Sequence, residues 1–429
     1  MRLLNCLTLE FCEVFENAKS TYAILSHTWG LEEVTFQDML NNKGQEKAGY
    51  IKVKLCCKQA MSDGFNFVWI DTCCIDKTSS AELSEAINSM MVWYQKSTIC
   101  YAFLSDVTLP LSTDSLVPSA DDEQYSEFAT SRWFTRGWTL QELLAPSDVR
   151  FYDKYWRFLG TKSYLGQIIS KVTGIDEDTL KGRDLREVSV AKRMSWASHR
   201  VTSRVEDIAY CLIGIFGVNL PLLYGEGEHA FIRLQEEIMK SSDDQSLFAW
   251  EDPAAIDNFP LQGGFKIVLG FLARSPAEFE NAGLIVPYRN WEISTPYSMT
   301  NQGLRIELEV LRYEDSDDYI GILGCHFDNS FLGPLGIYII PIISAQGDQF
   351  ARDAFRLKPV IVIPEHVARA TLRTIYIRQE IVLPSARDYD RTNRFLIRSL
   401  PEDKIFTGED YTLDDVQPKE DWNEDQNIL

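Results

Sequence analysis

The chain has 429 residues, 45% of them hydrophobic, and its 63 acidic against 42 basic side chains give a formal net charge of −21. That length supports a sizeable core and more than one domain, while so acidic a composition argues against nucleic-acid binding, which needs clustered Lys and Arg to neutralise phosphate. The 9 cysteines show no CxxC spacing, and the pairs Cys56-Cys57 and Cys73-Cys74 lie in apolar runs, so they read as reduced core residues of an intracellular protein rather than as a metal site.

Residues 1–10 hold one basic residue, are broken by Asn5 and Glu10, and lack a small-residue cleavage site, so they are not read as a signal peptide. Residues 22–29 form a short apolar run ending in polar side chains before Gly30, the pattern of a buried strand opening onto a loop. A helix follows over 45–62, and Asp63-Gly64 turns the chain. Residues 67–73 are the next buried strand, with Asp71 at its end and Asp76 just beyond. Ser79 and Glu82 make a capping box for a helix to about 97, with Ile87, Met90, Met91 and Tyr94 inward. Residues 99–105 are a third strand, 106–130 a long loop of the kind that forms lids or binding segments, and 149–153 a fourth strand. Strands alternating with helices imply a mainly parallel α/β sheet.

From 163 to 240 the pattern is helical, over 189–199, 203–216 and 226–240, with a second capping box at Ser203 and Glu206. The apolar stretch 208–224 is interrupted by Asn219 and Pro221 and falls short of the roughly 18–20 residues of a membrane span. Beyond 247 the runs 265–269, 304–310, 319–323, 336–340, 360–363 and 373–377 are strand-like, which predicts a β-rich sandwich or barrel with its boundary near 245–262. The expected layout is an N-terminal extension (1–21), an α/β domain (22–160), a helical region (161–244), a β-rich domain (245–400) and a solvated acidic tail (401–429).

The stretch from Ser131 to Pro146 reads as a site. It sets Arg132, Trp133, Arg136 and Trp138 before a helix that starts near Gly137 and stops at the proline. Leu140, Leu143 and Leu144 share the core face, which leaves Trp138 and Glu142 on the other side, exposed or lining a cleft. An exposed or ion-paired carboxylate is the ordinary use of such a glutamate. In a parallel sheet the C-terminal strand edges come together, so Ser26, Asp71, Asp76 and Glu142 can converge with Trp29, Arg132 and Trp138. Each residue also has a structural use: Asp71 and Asp76 as caps, Arg132 and Arg136 as surface ion-pair partners rather than a phosphate clamp. Ser26 lacks the GxSxG of a serine hydrolase. Gly225-Glu226-Gly227-Glu228 looks like a phosphate loop but carries two acids and no P-loop lysine, which fits a helix N-terminus better.

Residues 22–30 (YAILSHTWG), 67–76 (FVWIDTCCID) and 132–142 (RWFTRGWTLQE) resemble, in order and separation, the three signature blocks of the fungal heterokaryon-incompatibility (HET) domain. Residues 1–5 and 222–227 resemble its usual surroundings, and Lys77 stands where such proteins often carry Gln. The resemblance implies a cytoplasmic, filamentous-fungal protein of non-self recognition and cell death after fusion of unlike hyphae. HET domains are remotely similar to Toll/interleukin-receptor (TIR) domains, which implies a flavodoxin-like parallel sheet. Some TIR domains cleave NAD through a glutamate in a serine-x-tryptophan-cysteine-x-x-glutamate-leucine segment, and residues 137–143 look like that segment with Thr139 in place of cysteine. By that likeness Glu142 is the catalytic candidate. Trp138 or Trp29 would stack on a ring, Arg132 or Arg136 would hold the pyrophosphate, and Ser26 and Asp71 would complete the site. NAD would be substrate, with no resident cofactor or metal. The other implied reading is a non-catalytic module that self-associates or binds other incompatibility proteins through the same Trp- and Arg-rich surface.

Overall fold

The computed structural model describes residues 1–13, 21–108, 125–252, 268–288, 296–312, 319–329, 332–342, 348–354 and 356–379. The acidic tail, most of the expected lid (109–124) and the stretch 253–267 lie outside the described residues.

In the first half, β1 (Arg2–Asn5), β2 (Phe11–Glu13), β3 (Ala23–His27), β4 (Phe67–Trp69), β5 (Ile99–Phe103), β6 (Val149–Tyr152) and β7 (Phe158–Thr161) form one sheet in the order β2-β1-β4-β3-β5-β6-β7. The inner four strands are parallel, whereas β1, β2 and β7 join antiparallel. Every residue of β3 is buried, as expected of a central strand covered on both faces. The chain runs from β3 to β4 on one side and then crosses to β5 on the other, so strand order reverses at β3. In an open α/β sheet such a reversal opens a crevice outside the carboxyl ends of the two strands, here those of β3 and β5.

The Ser80–Lys96 helix covering this sheet is capped by Ser79, whose side chain accepts from Glu82 N at 3.3 Å. The expected capping box closes on that side alone. The Glu82 carboxylate turns instead to Arg2 of β1 and to the Asp76 amide, each at 2.8 Å, because a guanidinium is the stronger partner. The expected 203–216 helix is a larger departure: it is broken into Asp207–Tyr210 and Ile213–Phe216, and no box forms at Ser203. Glu206 instead accepts the amides of Gly225 (2.7 Å) and Gly227 (3.2 Å), whose positive φ values aim successive N–H groups at one carboxylate. The phosphate-loop lookalike thus already holds an anion, one supplied by the chain.

The second half contains β8 (Val268–Leu269), β9 (Ile285–Pro287), β10 (Ser298–Thr300), β11 (Gly303–Arg312), β12 (Tyr319–Ile322), β13 (Cys325–Phe327), β14 (Leu335–Pro341), β15 (Gln349–Asp353), β16 (Val360–Ile361) and β17 (Thr371–Ile377). Strands β14, β12, β11, β17 and β15 pair in sequence, and β14 also pairs β15, so the ring closes into a barrel. Leu304, Ile306, Leu308 and Val310 alternate inward along β11, the period-2 pattern that made this strand legible. Arg352 of β15 joins barrel to helices. Fully buried, it donates to the carbonyls of Phe248 (3.0 Å), Leu357 (2.8 Å) and Trp250, and lies 3.7 Å from the Trp250 ring. Among the described residues no helix is long and apolar enough to cross a membrane. All 9 cysteines are free thiols, and only Cys12 is exposed.

Candidate functional site

The stretch singled out by its Trp and Arg content folds as a 3-10 turn, Arg132–Thr135, followed by a six-residue helix, Thr139–Leu144. A neighbouring segment clamps it. Val201 N donates to Thr135 O at 2.7 Å and Gly137 N to Val201 O at 3.0 Å, forming a parallel bridge. This close approach is why residue 137 is glycine, since a Cβ there would lie 2.5 Å from Thr202 Cγ2 and 3.0 Å from Cys211 Sγ. Gly137→Ala is expected to lower stability by about 1–3 kcal/mol, the usual cost of overpacking, read as a lower denaturant midpoint at unchanged slope; an unchanged midpoint would refute the clash.

The helix is buried all round, not on a leucine face alone. The expectation that Glu142 shares an open face with Trp138 is therefore corrected: the helix is covered by the sheet on one side and the helical region on the other. The Glu142 carboxyl points at β3 and accepts the Ser26 hydroxyl, while Trp133 Nε1 donates to Ser26 Oγ at 2.8 Å. Tyr94 also contacts the Glu142 carboxyl and gives its own hydroxyl proton to Leu25 O at 2.9 Å. Burial, helped by the charge of Asp71, pushes Glu142 up to about 8, against the Ser26 hydrogen bond and the Arg200 charge, which favour ionisation. The donor count agrees with a protonated group. Trp133 gives to Ser26, Ser26 gives to Glu142, Glu142 gives to Tyr94, and Tyr94 gives to Leu25, so a neutral carboxyl leaves no oxygen or proton unmatched along the chain.

Arg200 holds this unit from the far side, donating to Trp196 O (3.1 Å), Arg136 O (2.8 Å) and Thr139 Oγ1 (3.0 Å). Sequence reasoning missed Arg200, Trp133 and Tyr94. Trp133 carried a signal, because it stands inside the same aromatic and basic run; Arg200 carried none, since only the folded chain brings it beside that run.

In front of Ser26, at the carboxyl end of β3, a second group of side chains gathers. Trp29 is half exposed and donates from Nε1 to Asp71 Oδ2 at 2.9 Å. The Lys77 ammonium lies 3.5 Å from the Trp29 ring centre and 3.8 Å from Asp71. Below them Lys52 pairs with Glu33 at 2.6 Å. His27 is buried between Glu33 and Asp71, 3.8 Å from each, and neither ring nitrogen has a hydrogen-bond partner among the described residues. Burial first, then the charges of Lys52 and Lys77, hold His27 well below its ordinary pKa, so the ring is neutral. Arg132 is exposed on the same side: its amide binds Asp106, its guanidinium touches Ser105 just beyond β5 at 3.3 Å, and its charge reaches Lys52. Among the described residues that guanidinium makes no ion pair.

Ser26, Trp29, Asp71, Arg132 and Glu142 thus gather at the carboxyl ends of β3 and β5. Arg136 and Trp138 do not join them, because the clamp by residues 200–202 turns them the other way. Arg136 donates to Ser203 Oγ at 3.2 Å, and Trp138 hydrogen-bonds Asp207. Asp76 is tied to Thr78 and Gln37. Among the described residues no three His, Cys, Asp or Glu side chains are arranged to hold a metal ion. A separate cleft of about 430 Å³ lies between the His229–Ser241 helix and the turn from β10 to β11, and none of these residues lines it.

An α/β domain with its polar residues gathered at a strand-order reversal, joined to a helical region and a barrel, is the class the fold defines. Residues 22–114 match the heterokaryon incompatibility protein (HET) family, and this part of the chain is a HET domain. It is similar to the vegetative incompatibility protein HET-E-1 of Podospora anserina, 49% identical over 222 residues, which is 51% of this chain and 16% of the relative. The chain therefore matches a small part of that protein's length. Residues 229–262 match a domain of unknown function, DUF8212. No solved structure matches the chain.

Proposed function

We propose that this chain acts in heterokaryon incompatibility as a cytoplasmic effector of cell death, through a TIR-like α/β domain that binds NAD at the carboxyl ends of β3 and β5 and cleaves it at the nicotinamide–ribose bond. The observation that supports this reading is the convergence of Ser26 and Glu142 directly behind Trp29, Asp71 and Arg132 at the strand reversal. A carboxylate placed there stabilises the positive charge that develops on the ribose as nicotinamide departs. The Ser26 hydroxyl is then the group that must release Glu142 to the substrate. Purified protein incubated with NAD is expected to release nicotinamide, and Glu142→Gln to abolish the release. No release by the assembled protein, or equal release by the variant, would refute cleavage.

One observation favours a second reading. The Glu142 carboxyl is enclosed by Ser26, Tyr94 and the helix itself, as a structural group would be. In that case the domain signals by association with another HET domain, and the signature residues bind a partner rather than transform a substrate. NAD that raises the melting temperature without being consumed would support ligand-gated association, since a ligand of the native state must stabilise it.

A further inference from the structure

Lys77, His27 and Lys52 have no role in the reading above, yet they surround the exposed Trp29 at the strand reversal. Two cations, Lys77 and Arg132, stand on the rim with a solvent-exposed indole between β3 and the short helix Asp71–Cys74. Their partners are weak ones. Lys77 is 3.8 Å from Asp71, longer than a hydrogen-bonded pair, and otherwise rests on an aromatic face; among the described residues the Arg132 guanidinium has only the Ser105 hydroxyl. Among the neighbouring cations Lys52 is fully committed, at 2.6 Å from Glu33 and buried.

We infer that this rim is a ribonucleotide site in which Lys77 holds the place of the ligand: the base takes the Trp29 face that the ammonium now covers, Lys77 and Arg132 take the phosphates, and Asp71 takes the ribose hydroxyls. This inference rests on the nucleotide reading of the site and names the groups that carry it. Each assignment follows from chemistry. An indole face that attracts an ammonium also stacks on a heteroaromatic ring. A guanidinium and an ammonium on one rim both bind phosphate oxygens. An aspartate beside a strand end is a usual acceptor for a ribose diol. His27 supports the exchange as a positioning residue. When Lys77 leaves Asp71, the ring nitrogen 3.8 Å from Asp71 Oδ1 is placed to donate in its stead, and a buried ring without a partner among the described residues gains one.

The test uses the full chain and three probes: ADP-ribose, adenosine and inorganic pyrophosphate, measured by calorimetry and by melting temperature. ADP-ribose is expected to bind, with adenosine and pyrophosphate each weaker. Lys77→Ala, Arg132→Ala and Trp29→Ala are each expected to weaken ADP-ribose about tenfold or more, while Arg136→Ala leaves it unchanged. His27→Asn is expected to weaken ADP-ribose but not pyrophosphate, a split that a general loss of structure would not give. All the rim side chains altered are exposed, and melting curves of the unliganded variants verify that they fold. Failure of ADP-ribose to bind, pyrophosphate binding as tightly as ADP-ribose, or an unchanged Lys77→Ala would overturn the inference. The two proposals separate cleanly: ADP-ribose binding with these dependences but no nicotinamide release removes cleavage and keeps the site, whereas NAD cleaved equally well by Lys77→Ala and Trp29→Ala does the opposite.

Discussion

Arg200→Met is expected to cost about 2–4 kcal/mol of stability, the range for removing a buried charged group that satisfies several acceptors. The guanidinium binds Trp196 O, Arg136 O and Thr139 Oγ1 at once, and so ties the helical region to the turn and helix that carry Trp133 and Glu142. Methionine fills most of the volume but donates nothing. The one Thr139 hydroxyl proton is shared between Trp133 O at 2.5 Å and Arg136 O at 2.9 Å, so Arg136 O keeps only part of a bond and all three acceptors of the guanidinium lose. Arg200→Lys is expected to recover little, because one ammonium on a flexible stem does not reproduce a planar fork spanning three acceptors. Denaturant unfolding of both variants measures this. A loss below about 1 kcal/mol, the worth of one ordinary hydrogen bond, would show that the helical region does not hold the signature stretch in place.

That dependence also marks where the sequence stopped being readable. The parallel strands β3, β4, β5 and β6 were legible because strands buried on both faces are short apolar runs ending at polar residues, and these do not depend on knowing the neighbours. β11 was legible by its alternation. β15 was not: Gln349–Asp353 contains Arg352 and Asp353, polar letters that hide a strand buried over four of its five residues. β1 was read as an extension outside the α/β domain, yet it pairs with β4, and Arg2 reaches Glu82. Nothing local to residues 2–5 announces a partner more than 60 residues away. The convergence of Ser26 with Glu142 followed from strand-end geometry, whereas the burial of Glu142 did not. Helical periodicity can assign one face of a short helix to the core, but it says nothing about whether a second layer covers the other. The layer came from residues 190–216, and its decisive contact, Arg200, lies in a stretch with no motif.

The same cover makes the second large effect one of pH. Glu142 is pushed up to about 8, whereas in the unfolded chain it titrates near the ordinary 4.5. The folded protein therefore keeps the proton through a range in which the unfolded chain has lost it. The stability this group supplies is complete below about pH 4.5 and is lost as pH rises toward 8, by about 1.4 kcal/mol per unit and about 5 kcal/mol in all. Glu142→Gln cannot ionise, yet its carbonyl can accept from Ser26 and its amide can donate to Tyr94, which preserves the donor order of the protonated acid. The variant is expected to match the parent near pH 4.5 and to exceed it progressively up to pH 8. Subtracting the two stability curves cancels the titration of every group that Glu142 does not perturb. Parallel curves between pH 5 and 8 would mean that the carboxyl is ionised in the folded protein. A Glu142→Gln protein that is folded, and more stable at neutral pH, also gives the NAD experiment its meaning: loss of nicotinamide release then reports missing chemistry and not a missing fold. Conversely, a cleaving enzyme must spend part of its cycle with Glu142 ionised and turned from Ser26, so its rate should rise with pH across the range in which its stability falls.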